Sequence, residues 1–171
     1  AVLGWAVRTA ISPFYQREVR HVVARKIPPQ SPYAAEVRGK ARVEGECVTV
    51  DSLEALRQIE KDIPSSMTYS LADLQTYITQ GCVIFFVFAL PTKERARAFA
   101  GYGIYQRGVI TILGRKKKSP FDLLFGIFRE MLPAYRGQRY SDILRETREA
   151  YCHLHGVKFL GGTIAPDNRP S

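Results

Sequence analysis

The apolar positions change period several times along the 171-residue chain. Cys47–Val50 is a short strand-like run. Leu53, Leu56, Ile59 and Ile63 then recur at helical spacing, opened by Asp51–Ser52 as a cap and stopped by Pro64. Ser70–Asp73 reads as a capping box for a second helix reaching Gln80, with Gly81 as its stop. Cys82–Leu90 is an unbroken apolar run, the pattern of a strand buried on both faces. Ala96–Tyr105 predicts a further strand, in which Gly101 and Gly103 suggest a bulge or a close backbone approach. Val109–Leu113 extends that strand or pairs with it. Ser119–Leu132 is ambiguous. Ser119–Pro120 with Asp122 resembles a helix start, and Phe121, Leu124, Phe125 and Phe128 fit a helical stripe. Leu123–Leu132 equally suits a buried strand, and the strand is preferred for the later half because Pro133 leads into a basic turn and a helix. Ser141–His155 is an amphipathic helix with Ile143, Leu144, Thr147, Tyr151 and Leu154 on its buried face and Gly156 as an αL stop. Val157–Ile164 predicts a strand and Pro166–Asn168 a turn.

Residues 1–45 differ in character. Arginine and lysine outnumber glutamate there, and Val19, Val22 and Val23 share a helical face ahead of Pro28–Pro29 and Pro32. The expectation is a basic N-terminal extension, a short helix plus a proline-rich linker, ahead of a domain over 46–171. Such an arm reads as a targeting remnant, a membrane-surface helix, an arm for RNA or a partner, or a helix packed on the domain. The chain starts at Ala1 and stops after Ser171, which reads as a processed or trimmed chain.

Composition adds a few bounds. Hydrophobic residues make up 46% and charged residues 24%, an ordinary globular balance, and the formal charge is +9. A basic excess favours an anionic partner: a phosphate-rich cofactor, nucleic acid or an anionic surface met through the arm and a basic loop at Arg115–Lys118. Cys47, Cys82 and Cys152 include no C-x-x-C pair, which argues for a reducing compartment and against a disulfide framework or zinc site. The expected location is cytoplasmic, or an organelle matrix if residues 1–45 are a targeting remnant. No stretch is long and apolar enough for a transmembrane helix. Cys152 has no evident base beside it, against a cysteine nucleophile.

The chemistry centres on Met131–Ser141. A strand, a proline, a tight basic turn and a helix N-terminus succeed one another. The first amides of a helix lack intrahelical partners and sit at the positive end of its dipole, a ready site for phosphate.

Pro133–Ala134–Tyr135–Arg136–Gly137–Gln138 resembles the acyl-CoA loop of the GCN5-related N-acetyltransferases, whose pattern is Arg/Gln-x-x-Gly-x-Gly/Ala after a strand ending in proline. Ala150, Gly156 and the strand leading to Pro166–Asp167–Asn168 keep that family's spacing. Glu46–Leu113 matches it loosely as a strand, two helices and an antiparallel pair. Two positions depart: Arg139 stands where the second glycine belongs and Ser141 where the last Gly/Ala belongs.

The resemblance implies an α/β (α+β) fold with a mixed, mostly antiparallel central sheet flanked by helices, lacking the family's last helix and strands. It places Val157–Ile164 parallel to the strand ending at Leu132, with the Ser141–His155 helix as crossover. It implies acyl transfer from acetyl-CoA, or another acyl-CoA, to an amine acceptor that is a small molecule or a protein. Backbone amides of Gly137, Gln138, Arg139, Tyr140 and Ser141 would hold the pyrophosphate, with Arg136 and Arg139 adding charge. Met131 and Leu132 would line the cofactor, an N–H near Met131 would serve the thioester oxygen, and Asn168 would lie near the pantetheine end. Glu130 is the best general base. A homodimer is compatible with this reading. The competing reading is a non-catalytic scaffold of the same fold that binds RNA or joins a ribonucleoprotein assembly, and a third is a membrane-surface acyltransferase anchored by residues 1–27.

Overall fold

A computed structural model describes residues 2–9, 18–27, 44–90, 93, 96–112 and 114–164. Its elements in chain order are β1 (Val2–Thr9), β2 (Glu18–Lys26), β3 (Gly45–Val50), α1 (Leu53–Ile59, continued by a 3₁₀ turn at Glu60–Asp62), α2 (Leu71–Thr79), β4 (Val83–Ala89), β5 (Ala98–Arg107), β6 (Val109–Ile112), β7 (Arg115–Lys118), β8 (Leu123–Met131), α3 (Tyr140–His155) and β9 (Phe159–Ile164). Seven strands form one sheet in the order β1-β2-β9-β8-β5-β4-β3. Every pairing in it is antiparallel except β8 with β9. This is the mixed, mostly antiparallel α/β sheet expected, and α3 is the crossover between its two parallel strands.

The local signals act as read. Ser52 Oγ accepts from the Ala55 N–H at 3.2 Å and opens α1. Ser70 and Asp73 exchange backbone and side-chain bonds in a capping box that opens α2. Alternation along β4 divides the core between the two sheet faces. Ile84, Phe86 and Phe88 meet Leu56, Ile59, Leu74 and Ile78 of α1 and α2. Val83, Phe85 and Val87 meet Leu144 and Cys152 of α3. Gly156 ends α3 at φ 67°.

Five expectations are corrected. Residues 2–9 and 18–26 are strands, not a helix: β2 pairs antiparallel with β9 through Arg25↔Leu160 and Ala24↔Gly161, and β1 with β2. The spacing of Val19, Val22 and Val23 imitates a helix, but ladder bonds to a distant strand win. The proline-rich segment 28–43 lies outside the described residues. Arg115–Lys118 is not a loop but strand β7, paired with β6 across Gly114 at φ 76°, so Val109–Ile112 neither extends β5 nor pairs with it. Ser119–Asp122 opens no helix, and the strand begins at Leu123. Leu154 is 83% exposed, whereas Leu144 is buried as expected, with Ile143 and Tyr151 packed on the same cluster, and Tyr140, Glu149 and Cys152 join it.

Candidate functional site

The site begins with one extra residue. In the β5–β8 ladder Ile104 faces Phe128 and Tyr105 faces Gly126, so Ile127 has no partner and forms a bulge. A one-residue insertion flips every later side chain to the other face. Leu124 lies on the α3 side of the sheet, whereas Phe128 packs on the α1–α2 side. Glu130 shares that side with Phe128. Its Oε2 accepts from the Tyr102 hydroxyl at 3.0 Å and from the Thr68 N–H at 3.1 Å. Burial, and secondarily the bond to Glu130, hold the Tyr102 phenol above its ordinary range, so it remains a donor.

The bulge also ends the parallel pairing. Among the described residues, β8 and β9 are joined only at Leu123–Phe125 and Phe159–Gly161. Beyond that the strands part and a cleft of about 680 Å³ opens, walled by Gly126–Arg129 of β8, Leu160–Thr163 of β9, Arg25 of β2, Tyr105 of β5, and Arg145 and Arg148 of α3. The Leu132 N–H donates to the Ala100 carbonyl at 2.8 Å. Antiparallel ladders alternate, so the N–H groups of Arg129 and Met131 point away from β5, and Arg129 lines the cleft. Gly101 allows this strand to lie close: a Cβ there would stand 2.4 Å from Met131 Sδ and 2.5 Å from the Glu130 carbonyl oxygen.

The loop after β8 makes a 3₁₀ turn at Pro133–Tyr135 and reaches α3 through Gly137 at φ 71° and Arg139 at φ 69°. Arg139 occupies the N-cap position in the left-handed region and no side chain caps the helix. The amides of Tyr140 and Ser141 are thereby left without intrahelical partners. Arg139 Nε donates to Asp142 Oδ2 at 2.9 Å. Arg136 Nε donates to the Met131 carbonyl at 2.9 Å and braces the end of β8. Gln138 Nε2 donates to the Ala134 carbonyl at 2.7 Å. The Tyr140 ring packs edge-on against Tyr135 in the core, which leaves only its backbone for a ligand.

Met131, Leu132 and the segment Arg136–Ser141 thus run from the end of β8 to the start of α3, with Glu130 on the α1–α2 face of the sheet beside Tyr102. Asn168 lies outside the described residues. Sequence reasoning missed Arg25, Arg129, Arg145 and Arg148 as cleft residues and Glu149 as their buried neighbour. Glu149 Oε1 accepts from Arg25 at 3.1 Å with its own side chain only 3% exposed. No local signal marks them, since the contact joins residues 124 positions apart.

Comparison with protein-family models and with curated proteins gives no match for this sequence. Solved structures do match. A tandem GNAT protein from the clavulanic acid biosynthesis pathway, solved without AcCoA, aligns at 14% identity and TM-score 0.52 over 99% of this chain and 57% of its own, so this chain spans little more than half of that protein. AAC(6')-Iy in complex with the bisubstrate analogue CoA-S-monomethyl-acetylneamine aligns at 14% identity and TM-score 0.48, over 72% of this chain and 82% of its own. The chain has the fold of the GCN5-related N-acetyltransferases.

Proposed function

We propose that this chain is an acyl-CoA-dependent N-acyltransferase, with acetyl-CoA as the simplest donor and an amine as acceptor. The observation that carries the reading is the parting of β8 and β9 at the Ile127 bulge in a strand that leads on to the uncapped N-terminus of α3. The fold shared with the tandem GNAT protein supports it.

Acyl-CoA would supply a thioester carbonyl as electrophile and a thiolate as leaving group. The chain's part is to hold and to move protons. The amides from Gly137 to Ser141 face the phosphates, and Arg139 adds a cation beside them. Arg136 keeps the Met131 peptide aligned through its carbonyl. The Met131 N–H, turned away from β5, would donate to the oxygen on which negative charge grows as the amine nitrogen attacks. Glu130 takes the proton that the amine must lose, directly or through one water, and Tyr102 and the Thr68 amide orient its carboxylate. The C–S bond breaks as the C–N bond forms. The residues 46–171 make up the catalytic unit in this reading.

Calorimetric titration of the folded chain with acetyl-CoA tests it. Saturable binding that weakens in Arg136→Ala supports the site, and no heat from folded protein overturns it.

A second reading is a scaffold that binds RNA or another polyanion. All four side chains of β7, Arg115–Lys118, are exposed, which favours it. Retention of nucleic acid that falls steeply with salt, together with no acetyl-CoA binding, would select this reading.

A further inference from the structure

The cleft is far more cationic than a pantetheine arm requires. Among the described residues, four of its lining side chains are arginines, Arg25, Arg129, Arg145 and Arg148, and none is a carboxylate. They arrive from three elements, β2, β8 and α3, and converge on one space. Glu149, just outside the lining, pairs with Arg25. Arg129 has no side-chain partner among the described residues. Arg148 donates through one terminal nitrogen to the Tyr105 hydroxyl at 3.2 Å, and its guanidinium lies 5.5 Å from the Tyr105 ring centroid. Its Nε is buried and has no partner among the described residues. The Tyr105 ring lies over Gly103 and Gly126, where a Cβ would stand 2.7 and 3.1 Å from it.

Converging guanidiniums repel one another, and a buried donor left unsatisfied is destabilising. An oxyanion in the cleft would remove both penalties, and the guanidinium fork suits a carboxylate or phosphate in two-point contact. The phosphates expected at the helix N-terminus do not account for these arginines. Arg145 and Arg148 lie about 6 and 10 Å further along the α3 axis than Ser141, at 1.5 Å per residue. That direction leads back toward the bulge, the deep end of the cleft.

We infer that the cleft selects a substrate carrying its own oxyanion, a carboxylate or phosphate beyond those of CoA. This rests on the acyltransferase reading and names the substrate class. The charge belongs either to the acyl chain or to the amine acceptor.

Two probe pairs separate the sources. Succinyl-CoA against acetyl-CoA, titrated into the full chain, tests a charged acyl group. Glutamate against glutamine amide, titrated with CoA present, tests a charged acceptor. The expected result is a preference of at least tenfold for the anionic member of one pair, falling to within twofold in Arg129→Gln and in Arg148→Gln. Arg129→Gln removes no hydrogen bond or ion pair among the described residues, so it guards against a variant that fails to fold. Equal affinity within both pairs for the wild-type chain overturns the inference. So does an Arg148→Gln loss of equal size for acetyl-CoA and succinyl-CoA, which would give the arginines to the phosphates of CoA. Acetyl-CoA binding by itself reads the underlying acyltransferase assignment, so the two failures are distinguishable.

Discussion

The Tyr102 hydroxyl donates to Glu130 Oε2 at 3.0 Å, and the two residues are also direct cross-strand partners in β5 and β8. That pairing exists only because Ile127 bulges out and turns Glu130 toward the α1–α2 face. In the proposed reaction, a carboxylate oriented by a phenol and the Thr68 amide would receive a proton from an amine approaching on that face. Glu130→Gln is expected to lower kcat on the order of 100-fold while acetyl-CoA affinity stays within threefold. Steady-state rates alongside calorimetry check it, and an unchanged kcat would remove Glu130 from the chemistry. Tyr102→Phe should cost about 1 kcal/mol in urea unfolding, since the hydroxyl also accepts from the Tyr69 N–H at 3.4 Å.

Gly101 sets the distance between those strands. A Cβ there would meet the Glu130 carbonyl and the Met131 backbone at 2.5 and 3.0 Å, and backbone cannot rotate away. Gly101→Ala is expected to destabilise by about 2 kcal/mol, in the range of overpacked cores, and to displace the Met131 amide. Activity that survives intact alongside wild-type stability would show that the Met131 amide does not need this register.

Arg139 is the one non-glycine residue with positive φ among the described residues. An L side chain there costs about 1–2 kcal/mol, more when β-branched. Glycine would relieve the strain but loosen the unfolded chain and lose the bond to Asp142, so Arg139→Gly is expected to be within about 1 kcal/mol of wild type. Arg139→Val should fall about 2 kcal/mol below Arg139→Gly. Urea midpoints of the two variants provide the comparison. Equal midpoints would mean that the loop does not hold this conformation.

Burial pushes the thiols of Cys47 and Cys152 up to about 12 and that of Cys82 up to about 11, from 9.0. Desolvation likewise raises Tyr102 and Tyr77 from 10.0. In each case the unfolded chain releases its proton first. Their stabilising contribution is therefore complete below about pH 9 and is lost as pH climbs from 9 toward 12. Urea midpoints should fall steadily between about pH 9 and 11, and thiol alkylation at about pH 8 should be slow until denaturant is added. Fast labelling of Cys152 in the folded protein would contradict its burial.

What the sequence made legible was local. Ser52 and the Ser70–Asp73 box act within four residues, Gly156 ends its own helix, and the run from Cys82 to Leu90 is apolar whichever element it meets. The ambiguous stretch before Pro133 resolved as a strand because Leu123–Phe125 sits between two neighbours of the sheet, where only extended chain can complete the ladders. What stayed hidden was non-local. Nothing near Val19–Val23 announces β9 as a partner far along the chain, so a helical spacing of valines was the stronger sign. The Ile127 bulge leaves no mark in the sequence either, although it decides which face Glu130 takes. Glu149 looks like one more solvent-facing charge on α3 until Arg25 arrives beside it.

That last contact links the N-terminal strands to the cleft. Glu149 is nearly fully buried and its Oε2 has no partner, so among the described residues its charge rests on Arg25. Removing one partner of a fully buried pair costs about 3–5 kcal/mol, and the 46% exposure of the Arg25 side chain reduces that. Arg25→Leu is expected to destabilise by about 2 kcal/mol, whereas Glu149→Gln, which removes the buried charge itself, should cost less than half as much. The double variant should then recover most of the Arg25→Leu loss. Chemical unfolding of wild type, both single variants and the double variant forms the cycle. Additive losses would mean that β2 and α3 do not meet through this pair, and that the N-terminal strands lie elsewhere than against the arginine-lined cleft.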